Sequence, residues 1–195
     1  MKYIIGIGNP NKQYWGTRHN VGFAAIDAMN AKIDKASTVK WNEKESLEAF
    51  VSRPNDKVTL LKPQLYVNNT GGAVTAVVGD NPVKNDLLFI CDDVRLVFGK
   101  LRLRASGSSG GHKGLQSVID KLGSEEFPRL RIGVGNETMP KEDLTPFVLG
   151  KFNSQEVKEL PRILDKVVSV CVAWLERGLD HALNELSKQQ SLKQE

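Results

Sequence analysis

Tyr3-Ile4-Ile5-Gly6-Ile7-Gly8-Asn9-Pro10 stands at the start of the chain, and Gly16-Thr17-Arg18-His19-Asn20-Val21-Gly22 follows shortly after it. The first stretch reads as a short buried strand over Tyr3–Ile7, ended by the turn signal Gly8-Asn9-Pro10. The second leads into apolar residues at helical spacing (Phe23, Ile26, Met29 and Ile33), which predicts a helix over Val21–Ile33. Gly6-Ile7-Gly8 invites a dinucleotide-binding reading, and that reading fails. The third glycine of the fingerprint would fall at position 11, which is Asn11. Pro10, Tyr14 and Trp15 also occupy the stretch where a helix should begin at once. The loop instead presents Asn9 at the end of the first strand, opposite His19.

Working outward, strands and helices alternate. Leu47–Val51 and Val58–Leu61 read as strands joined by the turn signal Arg53-Pro54-Asn55-Asp56. Val67–Val78 starts with polar residues and glycines and continues as a helix. Leu87–Cys91 is the continuous apolar run of a central strand. Leu101–Leu103 alternates with basic neighbours, Gly114–Leu122 reads as a helix after a glycine-rich loop, and Leu130–Val134 as a further strand. Asn153 with Glu156 fits a capping box. From there Val157, Leu160, Leu164, Val167, Val168, Cys171 and Leu175 keep a helical stripe. Pro161 should kink one long helix or open a second. Gly178 reads as a stop before a short helix over Leu179–Leu186, and 187–195 reads as a frayed polar tail. With no linker in between, the pattern predicts a single α/β domain over 1–195, with a mixed β-sheet covered by helices on both faces.

Composition narrows the class. The chain has 195 residues, 40% hydrophobic and 26% charged, enough for one good core. The apolar run at the start is too short for a signal peptide, and no stretch approaches a membrane span. Cys91 and Cys171 sit in apolar surroundings without metal-ligand spacing, so they read as buried free thiols of a reducing compartment. The cytoplasm is the expected location.

Chemistry concentrates in three places. His19 is one of three histidines, and it lies in a turn-rich segment between a strand and a helix. An imidazole takes up and returns a proton near neutral pH, and loops on rigid frames present such groups to substrates. A surface or helix-capping histidine is the plainer alternative. Asp92-Asp93 follows Leu87–Cys91, and the carboxyl end of a central strand is where open α/β sheets place their sites. One of the two could orient His19, or they could be turn residues that close the strand. The third place is basic. No acid occurs from Val94 to Ile119, while Arg95, Lys100, Arg102, Arg104, His112 and Lys113 do. In Lys100-Leu101-Arg102-Leu103-Arg104 a strand would put three cations on one face, a ridge able to track phosphates. The glycines of Gly107–Gly114 allow close backbone approach, and the helix they open could hold an anion. A solvated basic face beside a flexible loop is the alternative. There is no GxSxG motif and no activated cysteine, so a histidine acting on water is the simpler chemistry. Tyr66-Val67-Asn68-Asn69-Thr70-Gly71 adds amides that could bind a carbonyl or a sugar hydroxyl, or could merely cap a helix.

In this order the segments resemble the bacterial-type peptidyl-tRNA hydrolases over nearly the whole chain. The resemblance rests on Gly6–Pro10, Thr17–Gly22, Lys62-Pro63 through Tyr66, Asn68 and Gly71, Asp92-Asp93, Gly99–Arg102, Gly110-Gly111-His112 with Gly114-Leu115, Arg129–Gly133 and Phe147–Phe152. It implies a cytoplasmic, monomeric, metal-independent esterase without a cofactor or an obligate protein partner. Such an enzyme releases the peptide from the 3′ ribose of tRNA. Carried over by position, His19 would activate water and Asp92 would orient it. Asn9 and Asn68 would position the peptide or the tRNA 3′ end. Tyr14, Tyr66, Val67, Gly110, Gly111, His112 and Lys113 would line the substrate channel, and Lys100, Arg102, Arg104 and Arg131 would hold tRNA phosphates. Three positions depart from the family's usual residues: Asn11 for Gly, Val67 for Met and Lys113 for Asn. An ammonium cannot accept a hydrogen bond but can meet a phosphate, so Lys113 is expected to hold the backbone near the 3′ end. A non-catalytic RNA- or partner-binding module on the same fold is the alternative class. Retention of Asn9, His19, Asn68 and Asp92 argues for the enzyme.

Overall fold

In the computed structural model, residues 1–33, 42–44, 48–79 and 82–191 are described. The strands are β1 (Lys2–Gly6), β2 (Asn42–Lys44), β3 (Ala49–Asn55), β4 (Val58–Pro63), β5 (Leu87–Val97), β6 (Leu101–Arg104) and β7 (Arg129–Gly135). They form one mixed sheet in the order β2-β3-β4-β1-β5-β7-β6. The middle four strands run parallel, with Ile5 opposite both Leu61 and Phe89, and Asp92 opposite Ile132. The flanking pairs β2–β3, β3–β4 and β6–β7 are antiparallel. Parallel central strands are covered on both faces, which explains their unbroken apolar runs.

The helices are α1 (Val21–Ile33), α2 (Thr70–Val78), α3 (Lys113–Leu122), α4 (Thr145–Leu149), α5 (Ser154–Arg177) and α6 (Leu179–Ser191). Alternation along each strand sorts the core into two layers. Ile4, Leu60, Leu88, Ile90, Leu130 and Ile132 join α1, α5 and α6 on one face. Ile5, Leu61, Leu87, Phe89 and Cys91 join α2 and α3 on the other. Each such side chain, fully buried, contributes about 1.5–3 kcal/mol. Both cysteines are buried and free, as expected. Among the described residues no helix is long and apolar enough to cross a membrane.

The opening stretch folds as predicted, and its glycines have a packing reason. A Cβ on Gly6 would strike the carbonyl of Gly22, and one on Gly22 would strike those of Ile7 and Ile90. The two residues let α1 cross β1 at close range, which seats the turn carrying His19 beyond the end of β1 and beside the middle of β5. Asn11 holds φ 75 and ψ 147, a backbone region that favours glycine. The local conformation is therefore glycine-like although the residue is not.

Two sequence expectations need correction, and one open choice is decided. The central strand does not stop at Cys91. β5 continues to Val97, so Asp92 and Asp93 lie within it; the apolar signal ends before the hydrogen-bond ladder does. Of the two readings of Pro161, the one long helix holds and the second helix does not, since Pro161 lies inside a continuous α5. It and Val157 are on the exposed side, where water can serve the carbonyl that loses its donor. The tail is not frayed from 187, because α6 runs to Ser191 with Ala182 and Leu186 buried against the core. Residues 192–195 and Leu47 lie outside the described residues.

Candidate active site

The segments that follow β1 and β4 and the middle of β5 bring Asn9, Val67 and Asp92 to one place. A cavity of about 290 Å³ opens there, lined by these residues together with His19, Gly110, Gly111, His112, Lys113, Arg131 and an apolar wall of Leu144, Val148 and Leu149. His19 sits in a single 3₁₀ turn, Arg18–Asn20, immediately before α1. Its Nδ1 lies 2.7 Å from Oδ1 of Asp92. Both side chains are almost wholly buried, so the imidazole's position is fixed. An ionised carboxylate can only accept, so Nδ1 carries the proton and Nε2 is left as the basic nitrogen.

Electrostatics tune this pair. Burial acts to lower the pKa of His19. The charge and hydrogen bond of Asp92 outweigh it, Lys113 opposes them, and the net result lies above the usual value. For Asp92 burial acts upward. The imidazoles of His19 and His112 outweigh it, through their charge when protonated and through their hydrogen bonds, and hold the carboxyl well below its usual range. Asp92 is thus ionised at any pH where the fold operates.

The turn bearing His19 is braced from both sides. Asn20 clasps the Asn9 backbone: its Oδ1 accepts from the Asn9 N–H and its Nδ2 donates to the Asn9 carbonyl, both at 2.9 Å. Arg18 donates to Oε2 of Glu156 at 2.7 Å and to the Lys151 carbonyl at 2.8 Å. It also lies against the rings of Phe147 and Phe152. Glu156 closes the predicted capping box on Asn153 as well. Sequence reading assigned neither Arg18 nor Asn20 a role of its own. Their only signal was adjacency to His19, and the Arg18–Glu156 pair spans most of the chain.

Asn9 has a defined orientation. Its Oδ1 accepts from the Val67 N–H at 3.0 Å, which leaves the Nδ2 hydrogens as the free end in the cavity that Asn9 lines. Asn68 is exposed on the turn Val67–Asn69 and is not part of the cavity wall. Tyr66 is exposed beside it. Tyr14 is half-buried on a separate 3₁₀ turn, Lys12–Tyr14, outside the cavity wall.

The basic residues divide into two groups. On the edge strand β6, Leu101 and Leu103 are buried while Arg102 and Arg104 are exposed, and Lys100 is exposed beside them. Among the described residues none of these three cations is in an ion pair. Directly opposite on β7 stand Arg131 and Arg129, and both are engaged. Arg131 donates to the carbonyls of Ser108 and Ser109 at 3.0 and 2.9 Å and pairs with Asp93 at 3.4 Å. Arg129 is buried and bonds the carbonyls of Gly107, Phe127 and Glu125. The two therefore pin the glycine loop to the sheet, a contact that the ridge reading of Arg131 did not include. His112 likewise has both ring nitrogens engaged, one by Asp92 at 3.0 Å and one by the Leu115 N–H at 3.2 Å. Only its ring surface remains for a substrate. Lys113 is exposed at the cavity mouth, with no ion pair among the described residues.

His19, Asp92 and His112 bring their ligand-type atoms within 4.8 Å of one another. The donor set does not suit a metal, however. Ligation through His112 Nε2 would move its proton to Nδ1, against the Leu115 N–H. Ligation through His19 Nδ1 would move that proton to Nε2 and break the hydrogen bond to Asp92.

A buried imidazole–carboxylate pair in an open cavity, beside an arginine-bearing sheet edge, is the equipment of a water-activating enzyme with an anionic substrate. The sequence matches the family model of peptidyl-tRNA hydrolase over residues 3–194, and the chain belongs to that family. It is 40% identical over 189 residues to a peptidyl-tRNA hydrolase of Pelodictyon phaeoclathratiforme, covering 96% of this chain and 98% of the relative. It is 42% identical over 188 residues to that of Gloeobacter violaceus, covering 94% and 92%. The crystal structure of peptidyl-tRNA hydrolase from Acinetobacter baumannii superposes with a TM-score of 0.83 at 27% identity, covering 95% of this chain and 94% of that one.

Proposed function

We propose that His19 is the general base with which this peptidyl-tRNA hydrolase cleaves its ester, that Asp92 orients it, and that Asn9 steadies the oxyanion. The observation that carries the reading is the 2.7 Å bond between His19 Nδ1 and Asp92, both buried at the cavity wall. It leaves Nε2 free to take a proton.

The chemistry follows in two steps. Water attacks the peptide carbonyl carbon while His19 Nε2 takes its proton, and Asp92 stabilises the imidazolium. The carbonyl oxygen becomes an oxyanion, for which the Asn9 Nδ2 hydrogens are the aligned donors. The intermediate then collapses, the bond to the ribose oxygen breaks, and that oxygen takes the proton back from His19. Free tRNA and the peptide acid are the products.

The apolar wall Leu144, Val148 and Leu149 suits the peptide side, and Lys113 with the edge of Arg102, Arg104 and Lys100 suits the tRNA backbone. Two buried free thiols suit a reducing cytoplasm. The test is turnover of an N-blocked aminoacyl-tRNA by the wild type and by His19→Ala. The variant should fold normally and lose roughly 10²- to 10⁴-fold. A loss under about tenfold, short of that range, would remove His19 from the role.

A further inference from the structure

We propose that His112 is a positioning residue for this reaction: held neutral with its proton on Nε2, it donates that proton to Asp92 and so ties the carboxylate that orients His19 to the start of α3. The inference rests on the reading of His19 as the base. It assigns His112 to the carboxylate and not to the substrate.

The tautomer follows from the neighbours. The Leu115 backbone N–H points at His112 Nδ1 at 3.2 Å. A backbone N–H can only donate, so Nδ1 must present its lone pair. Neutral imidazole has a single N–H, which is therefore on Nε2, facing Oδ1 of Asp92 at 3.0 Å. The imidazolium would set two N–H groups against each other at Leu115. His112 is at once the N-cap of α3 and a donor to the site.

Its geometry makes the link a stiff one. The His112 side chain is only 7% exposed, and its ring centroid lies 5.0 Å from that of His19. Both imidazoles donate to the same oxygen of Asp92, so neither can shift without moving the carboxylate. The preceding loop is itself pinned through Gly107, Ser108 and Ser109 by Arg129 and Arg131. The remaining charged groups around the pair are Lys113 on α3, Asp93 and Arg95 on β5, and Arg131 on β7.

A second donor shares the charge of Asp92. Without it the carboxylate is a stronger partner for the His19 imidazolium, and the base becomes harder to deprotonate. Two substitutions separate the cap from the donor. His112→Asn keeps a good N-cap but is too short to reach Asp92, whereas His112→Gln can extend an amide N–H towards it. We expect kcat of His112→Asn at neutral pH to fall roughly tenfold or more, as for other groups that orient a functional ligand. Its KM and Tm should stay near wild type, and the acid limb of its pH profile should move upward. His112→Gln should bring that limb back towards wild type. In the wild type, ring-nitrogen NMR should show His112 as the neutral Nε2–H tautomer at neutral pH. Wild-type kcat and an unmoved limb in His112→Asn would reduce His112 to a helix cap. A raised KM at unchanged kcat would return it to the substrate, and an Nδ1–H tautomer or an imidazolium would overturn the assignment directly. Wild-type and His19→Ala turnover in the same assay keep a failure of the base reading separate from a failure of this one.

Discussion

The cluster around Asp92 and the edge strand β6 both gather ionisable side chains, and they are built on opposite terms. At Asp92 the side chains are buried and hydrogen-bonded to one another, with His19 and His112 on one oxygen and Arg131 on the neighbouring Asp93. On and beside β6, Arg102, Arg104 and Lys100 are exposed and form no ion pair among the described residues. Proton transfer needs atoms held to a fraction of an ångström, which only a packed, fully bonded setting provides. Capture of a polyanion needs mobile charge in reach of many phosphates, which exposure provides. The glycine loop joins the two regions, clamped by arginines from the strand beside the edge and ending at His112.

The contrast predicts different kinetic signatures. Neutralising Arg102 and Arg104 together should raise KM roughly tenfold or more, at about 1.4 kcal/mol per decade, and barely lower kcat. The slope of log affinity against log salt should flatten by about one unit for each phosphate that the variant no longer neutralises. An unchanged slope would place the tRNA on another surface and break the division. Lys113 sharpens it, because this residue lies at the cavity mouth between the two regions. Lys113→Asn should reduce the salt slope by up to about one unit and leave saturated turnover within roughly threefold. A large fall in saturated single-turnover rate would move Lys113 into the chemistry.

The sequence made the local features legible and left the non-local ones open. The strand–turn–helix unit around His19 was readable because its signals lie within a few turns of chain, and the Asn153–Glu156 cap because it is a spacing rule. The alternation of Leu101 and Leu103 with arginines correctly placed the ridge on one face. That His19 meets Asp92 was not readable, since it depends on β1 pairing with β5 across the intervening β2–β4 unit. Hydrophobicity marked the end of an apolar run at Cys91, but not the end of the strand that carries Asp92 inward. The identity of Arg131 as a cation was plain, while its duty as a loop clamp required knowing that Ser108 and Ser109 fold back over β7. Glu156 was read as a cap alone for the same reason: its second partner, Arg18, lies near the other end of the chain.

The central claim is that His19 is a base whose basicity Asp92 sets, and the pH dependence of kcat/KM for N-blocked aminoacyl-tRNA hydrolysis tests it most directly, in the wild type and in Asp92→Asn. Activity requires neutral His19, and its pKa in the folded protein is raised. The wild-type acid limb should therefore lie above the ordinary histidine value of about 6.5. In Asp92→Asn the raising influence is gone while burial and Lys113 still act downward, so the limb should fall below that value as the rate itself drops. A limb that stays in place in Asp92→Asn, at full or reduced rate, would contradict the account.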